Sequence, residues 1–338
     1  MKPMRRTCLT AACLAVTAAG VAGHPAEARG QYPRRTAIVE AVAKTRASIV
    51  TVKVDAGGNG GRNEKVAGTG VIIDSRGYIV TNRHVISSAR RVLACLDGGV
   101  DLDAKVLAED PHTDLAILRV NAKRELRVLP LGPGSDLMVG ETVIAVGHPF
   151  GYTNTVSTGI ISALGREITM PTGHTLGNLV QTNASINPGN SGGPLLNING
   201  ELIGINVALR EGAQGIAFAI NVDTVKQVLS QRLSAQRVAG IRHGLSCAER
   251  VAEQGEKRQR VVVQTVAEQT PAATAGVQRG DQIVRVADRT VVNQFDIERA
   301  FWDRHPGDKI ALTVIRDGKE LNLRLPLTAA STADSAQH

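Results

Sequence analysis

Aromatic side chains are the scarcest class in this chain: one Trp, three Tyr and four Phe among 338 residues. With so few rings the interior has to be built from Val, Ile, Leu and Ala, which suits many short strands. Cysteine is nearly as rare. Of four cysteines, Cys8 and Cys13 lie in an N-terminal segment that reads as removable, and Cys95 and Cys247 fall in different putative domains. With no Cys-x-x-Cys pair and no His-Glu-x-x-His, neither a disulfide framework nor a zinc site is indicated. Both remaining thiols are expected to be single and buried. Uninterrupted charge of one sign is missing too. The basic run Lys123 to Arg127 is broken by Glu125 and has no interleaved aromatics, which argues against a nucleic-acid surface. The formal charge of +8 leaves attraction to anionic surfaces, and with it peripheral membrane association, open.

A long apolar run is also absent. Thr7 to Gly23 is apolar, but it is short and too rich in Thr and Gly to match the roughly 20 apolar residues of a membrane span. It follows a positive region of Lys2, Arg5 and Arg6 and precedes Ala26-Glu27-Ala28, so residues 1–28 read as a signal peptide. The expected location is periplasmic or secreted. Cys13 does not read as a lipid attachment site, because Thr10 stands where a large aliphatic residue is required. Cleavage after Ala28 lowers the formal charge from +8 to about +6. The remaining length exceeds what one core usually organises, so two domains are expected.

What the chain does contain is a glycine-flanked serine, Gly189-Asn190-Ser191-Gly192-Gly193-Pro194. A hydroxyl is a poor nucleophile at neutral pH and needs a neighbouring base, together with donors aimed at the charge that develops on an attacked carbonyl. The flanking glycines let the backbone turn its amides toward such an oxygen. Upstream stand Thr81-Asn82-Arg83-His84-Val85 and His112-Thr113-Asp114-Leu115-Ala116. They offer an imidazole and the carboxylate that would fix its tautomer. Each motif alone fits a turn or a strand end. Their order along the chain, His84, Asp114 and Ser191, is that of chymotrypsin-like enzymes, and the strand-rich intervals suit a double β-barrel.

Together with the domain that follows, these motifs resemble the HtrA (Deg) family of serine endopeptidases with one C-terminal PDZ domain. The resemblance implies a mainly β fold, a chymotrypsin-like double β-barrel followed by an α/β PDZ domain. It implies that Ser191 is the nucleophile, His84 the general base and Asp114 its orienting carboxylate, with the backbone amides of Gly189 and Ser191 forming the oxyanion hole. Ile186 and Leu209 fall along the first specificity pocket. With Ser185 six positions before the nucleophile, where trypsin-like enzymes carry an acid, cleavage after small apolar residues is expected. Acyl transfer through a serine needs no cofactor. The implied partners are unfolded or misfolded proteins and C-terminal peptides. The implied assembly is a homotrimer, to which Tyr32 or the adjoining N-terminal arm would contribute.

The expected layout is a signal peptide (1–28), a protease domain (29–233), a linker (234–240), a PDZ domain (241–328) and a disordered tail (329–338). Strands are expected at Ser48–Val54, Thr69–Ile73, Tyr78–Thr81, Arg91–Cys95, Asp103–Ala108, Leu115–Val120 and Thr142–Val146. Further ones are expected at Thr155–Leu164, Leu179–Thr182, Pro194–Ile198, Glu201–Val207 and Gly215–Ile220. Residues Gly57 to Gly61 read as a flexible loop. Arg166 to Gly177 reads as a polar loop, and in the family a loop at this place senses peptide. A helix capped by Asn221 carries Val222, Val225, Val228, Leu229 and Leu233 at helical spacing. Ser234 to Gly240 reads as a short hinge.

In the second domain, strands are expected at Val261–Val266, Gln282–Val286, Ile310–Ile315 and Leu321–Leu325, with a helix from Phe295 to Trp302. Pro271-Ala272-Ala273 and Arg279-Gly280-Asp281-Gln282-Ile283 resemble the family's PDZ signature. Its carboxylate-holding loop corresponds to Arg242–Cys247, with Gly244, Leu245 and Ser246 as peptide-binding residues. The chain departs from the family at Gly244, usually aromatic, at Ser246, usually Gly, and at Asn183, usually Asp. A binding protein of another class, a PDZ-equipped chaperone or scaffold with an inactive protease fold, is the alternative reading at this stage.

Overall fold

The computed structural model describes residues 34–55, 64–87, 89–147, 155–170, 173–207, 215–250 and 260–330. The signal segment, Tyr32, the loop Gly57–Gly61, Leu209 and the tail from residue 331 lie outside them. The described chain opens with helix α1 (Ala37–Thr45), whose N-cap Thr36 accepts from Val39 N. The first barrel follows: β1 (Ile49–Asp55), β2 (Glu64–Asp74), β3 (Tyr78–Asn82), the short helix α2 (Arg83–Ile86), β4 (Arg91–Cys95), β5 (Asp101–Asp110) and β6 (Leu115–Val120). It closes in the order β1-β2-β3-β6-β5-β4. Val50, Val52, Ile72, Ile79, Ala94 and Leu118 fill its interior. Alternating β-branched and aliphatic residues supply this core without a single ring, as the composition requires.

The second barrel comprises β7 (Thr142–Gly147), β8 (Thr155–Thr169), β9 (Thr175–Thr182), β10 (Pro194–Asn197), β11 (Leu202–Val207) and β12 (Ala217–Asn221). It closes as β10-β11-β12-β9-β8-β7. The stretch expected to be the polar loop Arg166–Gly177 is largely strand. Ile168 pairs with Leu176 and Thr169 with Thr175, and Leu176 is buried against the core shared with the first barrel. Leu176, with Ile168 and Met170 packed against the same core, outweighs the polar composition around it.

Helix α3 (Val222–Arg232) begins at Asn221, whose Oδ1 accepts from Asp223 N at 2.8 Å. The stretch expected to be a hinge, Ser234–Gly240, instead holds helix α4 (Ala235–Ala239), capped by Ser234 and closed by Gly240 at φ 68°. Ala235 is fully buried, and its N–H donates to Glu298 Oε2 at 2.7 Å.

The remaining elements are β13 (Leu245–Arg250), β14 (Arg260–Val266), α5 (Pro271–Thr274), β15 (Gln282–Val286), β16 (Arg289–Thr290), α6 (Gln294–Phe301), β17 (Lys309–Arg316) and β18 (Lys319–Pro326). Their sheet runs β13-β14-β15-β17-β18, with β16 on β15, so β13 is an edge strand. A capping box starts α6: Asp296 N donates to Asn293 Oδ1 at 3.0 Å and Asn293 N to Asp296 Oδ2 at 3.2 Å.

Helix α6 is shared between two cores. Ile297 and Phe301 face the sheet of their own domain. Phe295 and Trp302 join Tyr78, Val225, Leu229 and Leu233 of the barrels and α3. Trp302 Nε1 donates to Leu233 O at 2.9 Å, its ring lies 4.6 Å from that of Tyr78, and the Arg76 guanidinium sits 4.5 Å above it. Arg299 Nη1 donates to Ile73 O at 2.9 Å. Lys226 on α3, 1% exposed, is paired with Glu249 Oε2 at 2.7 Å and Asp223 Oδ1 at 3.2 Å. A charge so buried is tolerable only with such partners.

Candidate active site and peptide groove

Strand register brings His84 to Asp114. In the antiparallel pair of β3 and β6, Asn82 lies opposite Leu115. The residue two beyond one strand end therefore meets the residue just before the other strand's start. Asp114 Oδ2 lies 2.6 Å from His84 Nδ1 and Oδ1 accepts from His84 N at 2.9 Å. The carbonyl of Asp114 accepts from Arg83 N at 2.8 Å and from Asn82 Nδ2 at 3.1 Å. Asp114 holds φ 56°, a left-handed conformation that Asp tolerates better than most residues. Four hydrogen bonds to one residue over-determine that geometry. The Asp114 side chain is 10% exposed and that of His84 38% exposed, so the imidazole stands at the rim with its carboxylate partner behind it.

The serine loop comes from the other barrel. Asn190 N donates to Asn187 O at 2.9 Å, with Pro188 and Gly189 between them and Gly189 at φ 99°. These are the marks of a type II turn. Ser191 follows, buried to 5% exposure. Gly192 N donates to Asn206 O at 3.0 Å, Asn206 N to Gly193 O at 2.8 Å, and Asn206 Nδ2 to Pro194 O at 3.0 Å. Gly192 sits at φ 80°, and a Cβ there would overlap Thr69 O and Thr81 Oγ1. No other residue fits that backbone.

One residue of the first barrel fastens this loop. Thr69 N donates to Ser191 O at 2.9 Å and Thr69 Oγ1 to Gly189 O at 2.7 Å, while Thr81 Oγ1 donates to Thr69 O at 2.7 Å. Thr81 and Asn82 lead directly into α2 and His84. At Gly68 a Cβ would lie 2.8 Å from both Ser191 O and Val85 Cγ2. The backbone of Ser191 and the residue after His84 therefore press on the same glycine, which sets the Ser191 loop beside the turn that carries His84. Thr69, Asn82 and Asn206 carry this assembly. In the sequence their only signal is a small or polar residue beside glycine or at a strand end.

Ile186 is half-buried and packs against the second barrel's core cluster, to which Leu137, Val143, Ala145 and Ile161 belong. Its expected neighbour Leu209 lies outside the described residues. Asn183 Oδ1 accepts from Ile160 N at 2.7 Å, so the Asn that departs from the family pattern clamps strand β8 with its amide oxygen, a role that needs no charge.

Beside β13 lies a groove of about 840 Å³ lined by Arg232, Arg242, Gly244, Leu245, Ser246 and Glu298 among others. All three expected peptide-binding residues are there. Gly244 at φ 82° lies against Thr270, whose Cβ and Oγ1 fill the space a side chain would take, which accounts for glycine where the family usually has an aromatic. Leu245 N donates to His243 Nδ1 at 3.0 Å, and His243 Nε2 lies 3.2 Å from Glu298 Oε1. Cys247, expected to be buried, is half-buried, as is Cys95, and neither forms a disulfide. Desolvation, with Glu298 nearby, pushes the Cys247 thiol up to about 12.

Residues 68–205 match the family model of the trypsin-like peptidase domain and residues 203–327 that of the PDZ domain. The chain is 38% identical over 294 residues to the periplasmic serine endoprotease DegP of Salmonella typhimurium, covering 83% of this chain and 61% of that protein. It is 39% identical over 267 residues to a probable periplasmic serine endoprotease DegP-like of Bartonella henselae, covering 77% and 52% respectively. The chain thus spans only about half to three fifths of the length of these curated relatives. Among solved structures it is similar to the serine endoprotease from Yersinia pestis, at 31% identity and a TM-score of 0.51, covering 88% of this chain and 99% of that one. It is also similar to the HtrA-type protease AlgW with tripeptide, at 30% identity and a TM-score of 0.53, covering 89% and 99%. A double β-barrel that sets the Ser191 loop beside the turn carrying His84, continued by a PDZ domain and matched along nearly the whole of solved relatives, makes this chain a member of the HtrA family.

Proposed function

We propose that this protein is an exported, ATP-independent serine endopeptidase of protein quality control, acting on unfolded or misfolded polypeptides and recognising C-terminal peptides through its PDZ groove. The observation that carries the reading is the 2.6 Å contact between His84 Nδ1 and Asp114 Oδ2 at the seam where Thr69 grips the Ser191 loop. With Nδ1–H donated to the carboxylate, Nε2 is the basic nitrogen and can take the Ser191 proton as Oγ attacks a substrate carbonyl. Asp114 stabilises the imidazolium that results. The developing oxyanion would be met by the N–H groups of Gly189 and Ser191. His84 then returns the proton to the leaving amine, and water resolves the acyl-enzyme by the same path.

Ile186, with Leu209, would line an apolar first pocket suited to small aliphatic side chains. The exposed edge of β13 can take up an extended peptide as a further strand, its terminal carboxylate held where Gly244 leads into Leu245 and Ser246 at the start of that strand. A periplasmic location is supported by the names of the relatives, and a homotrimer built through Tyr32 and the N-terminal arm belongs to the same reading. An inactive scaffold has no use for a hydrogen-bonded His84–Asp114 pair, and that alternative is not favoured.

The test is hydrolysis of casein and of a chromogenic peptide by the purified protein. Ser191→Ala is expected to lower kcat by a factor on the order of 10⁶ while substrate still binds. Near wild-type turnover by that variant excludes the assignment.

A further inference from the structure

The groove beside β13 carries more positive charge than the capture of one terminal carboxylate calls for. Its volume is about 840 Å³, and Arg232, Arg237 and Arg242 all line it, against a single carboxylate, that of Glu298. Both Glu298 oxygens are taken up by the fold: Oε2 accepts from Ala235 N at 2.7 Å and Oε1 lies 3.2 Å from His243 Nε2. Two of the arginines are less committed. Arg237, in the last turn of α4, is exposed. Arg232 ends α3 with its Nη2 3.4 Å from Asp110 Oδ2, and its Nε is buried with no hydrogen-bond partner. One long contact leaves room on that guanidinium for a second acceptor.

The cavity belongs to one end of the groove. Of β13, among the described residues, only Leu245 and Ser246 line it, with Thr265 and Ala267 from the end of β14 and just beyond, and Ser246 stands opposite Thr265. That is where Gly244 leads into the strand, the place at which a peptide added to this edge ends. Arg232 and Arg237 therefore flank the last residue of such a peptide and not its upstream part.

We propose that this groove selects peptides whose last residue is Asp or Glu, the main-chain carboxylate being held at Gly244–Ser246 and the side-chain carboxylate by Arg232 and Arg237. A carboxylate is the planar acceptor that the guanidinium fork matches in geometry and charge. An apolar last residue would strip water from the same guanidiniums and return no hydrogen bond. Leu245 supplies the apolar contact that the methylene groups of a Glu need.

The inference rests on the reading of β13 as a peptide-capturing edge, and the experiment separates the two. Decapeptides labelled with fluorescein at the N-terminus are titrated with the full chain carrying Ser191→Ala, so that nothing is cleaved. They are the free acids ending in Leu-Leu-Glu, Leu-Leu-Gln and Leu-Leu-Val, a Leu-Leu-Val acid with Glu moved to its N-terminal half, and the Leu-Leu-Glu peptide as its C-terminal amide. Fluorescence anisotropy is expected to give the Leu-Leu-Glu acid a Kd about tenfold or more below those of the other acids. Its amide should bind about tenfold more weakly than the acid, because the end of the added strand no longer meets Gly244–Ser246. Arg232→Gln and Arg237→Gln should each remove about fivefold of the preference for Glu and leave the Leu-Leu-Val acid where it was. Arg237 is exposed, so that its replacement does not put folding at stake. A Leu-Leu-Val acid that binds as tightly as the Leu-Leu-Glu acid overturns the proposal and leaves peptide capture standing. So does a preference for Glu that survives both arginine replacements together. If the peptide with Glu moved upstream, or the amide, matches the Leu-Leu-Glu acid, the groove responds to net charge and not to the last residue, and the proposal fails. No binding of any free acid overturns the capture reading along with it.

Discussion

Replacing Thr69 by Val tests whether the first barrel prepares the serine loop of the second. Thr69 is fully buried, and valine has its shape but not its hydroxyl. The variant keeps the 2.9 Å bond from Thr69 N to Ser191 O and loses the 2.7 Å bond from Oγ1 to Gly189 O. A carbonyl left without its buried donor costs about 1–3 kcal/mol. Gly189 sits in the turn whose amide is assigned to the oxyanion, so that penalty falls on a group needed as charge develops. At 1.36 kcal/mol per tenfold in rate, kcat should fall about 5- to 150-fold. KM should stay near wild type, because the ground-state contacts are untouched. Thr69→Ser retains the hydroxyl and should keep most of the activity. The assay is peptide hydrolysis with active-site titration, alongside urea unfolding to confirm that each variant is folded. A folded Thr69→Val within twofold of wild-type kcat refutes the reasoning, and so does equal impairment of Val and Ser.

Two further outcomes follow from the junction and the thiols. Burial opposes ionisation of Asp74, but hydrogen bonding and charge from Arg76, with Arg299 beyond, overcome it and hold its carboxyl below the ordinary value. Its contribution is therefore complete above about pH 4, the unfolded value, and is lost as pH falls through the lower folded value. Fluorescence of Trp302, the only tryptophan, should report loosening of α6 on that acid limb, and Asp74→Asn should flatten it. An unchanged acid limb in Asp74→Asn contradicts the assignment. Cys247, pushed up to about 12, should react with iodoacetamide at pH 8 about a thousandfold more slowly in the native protein than after unfolding. Equal rates measured by peptide mass mapping would show the thiol to be unprotected.

Local pattern revealed much of this architecture, and its limits are physical. The bounds of Arg91–Cys95, Leu115–Val120 and Gln282–Val286 match the expected strands, because turn residues bracket each apolar run. The order His84, Asp114, Ser191 was legible because each sits in a recognisable motif. Strand β8 runs on to Thr169 because Leu176 across the hairpin reaches the core, a contact between distant residues that no window reveals. Strand β13 is not legible in the sequence, because its pairing with β14 shifts register between Ser246 and Cys247, which breaks the alternation that marks a strand. Thr69 looks ordinary in sequence. Its role exists only once the two barrels have met.

The most direct test of the central claim is covalent labelling of the folded protein with a fluorophosphonate, followed by peptide mass mapping. The account predicts a single adduct on Ser191 in the wild type, and none when His84 is replaced by Ala. No adduct on Ser191, or labelling of Ser191 at the wild-type rate without His84, would contradict it.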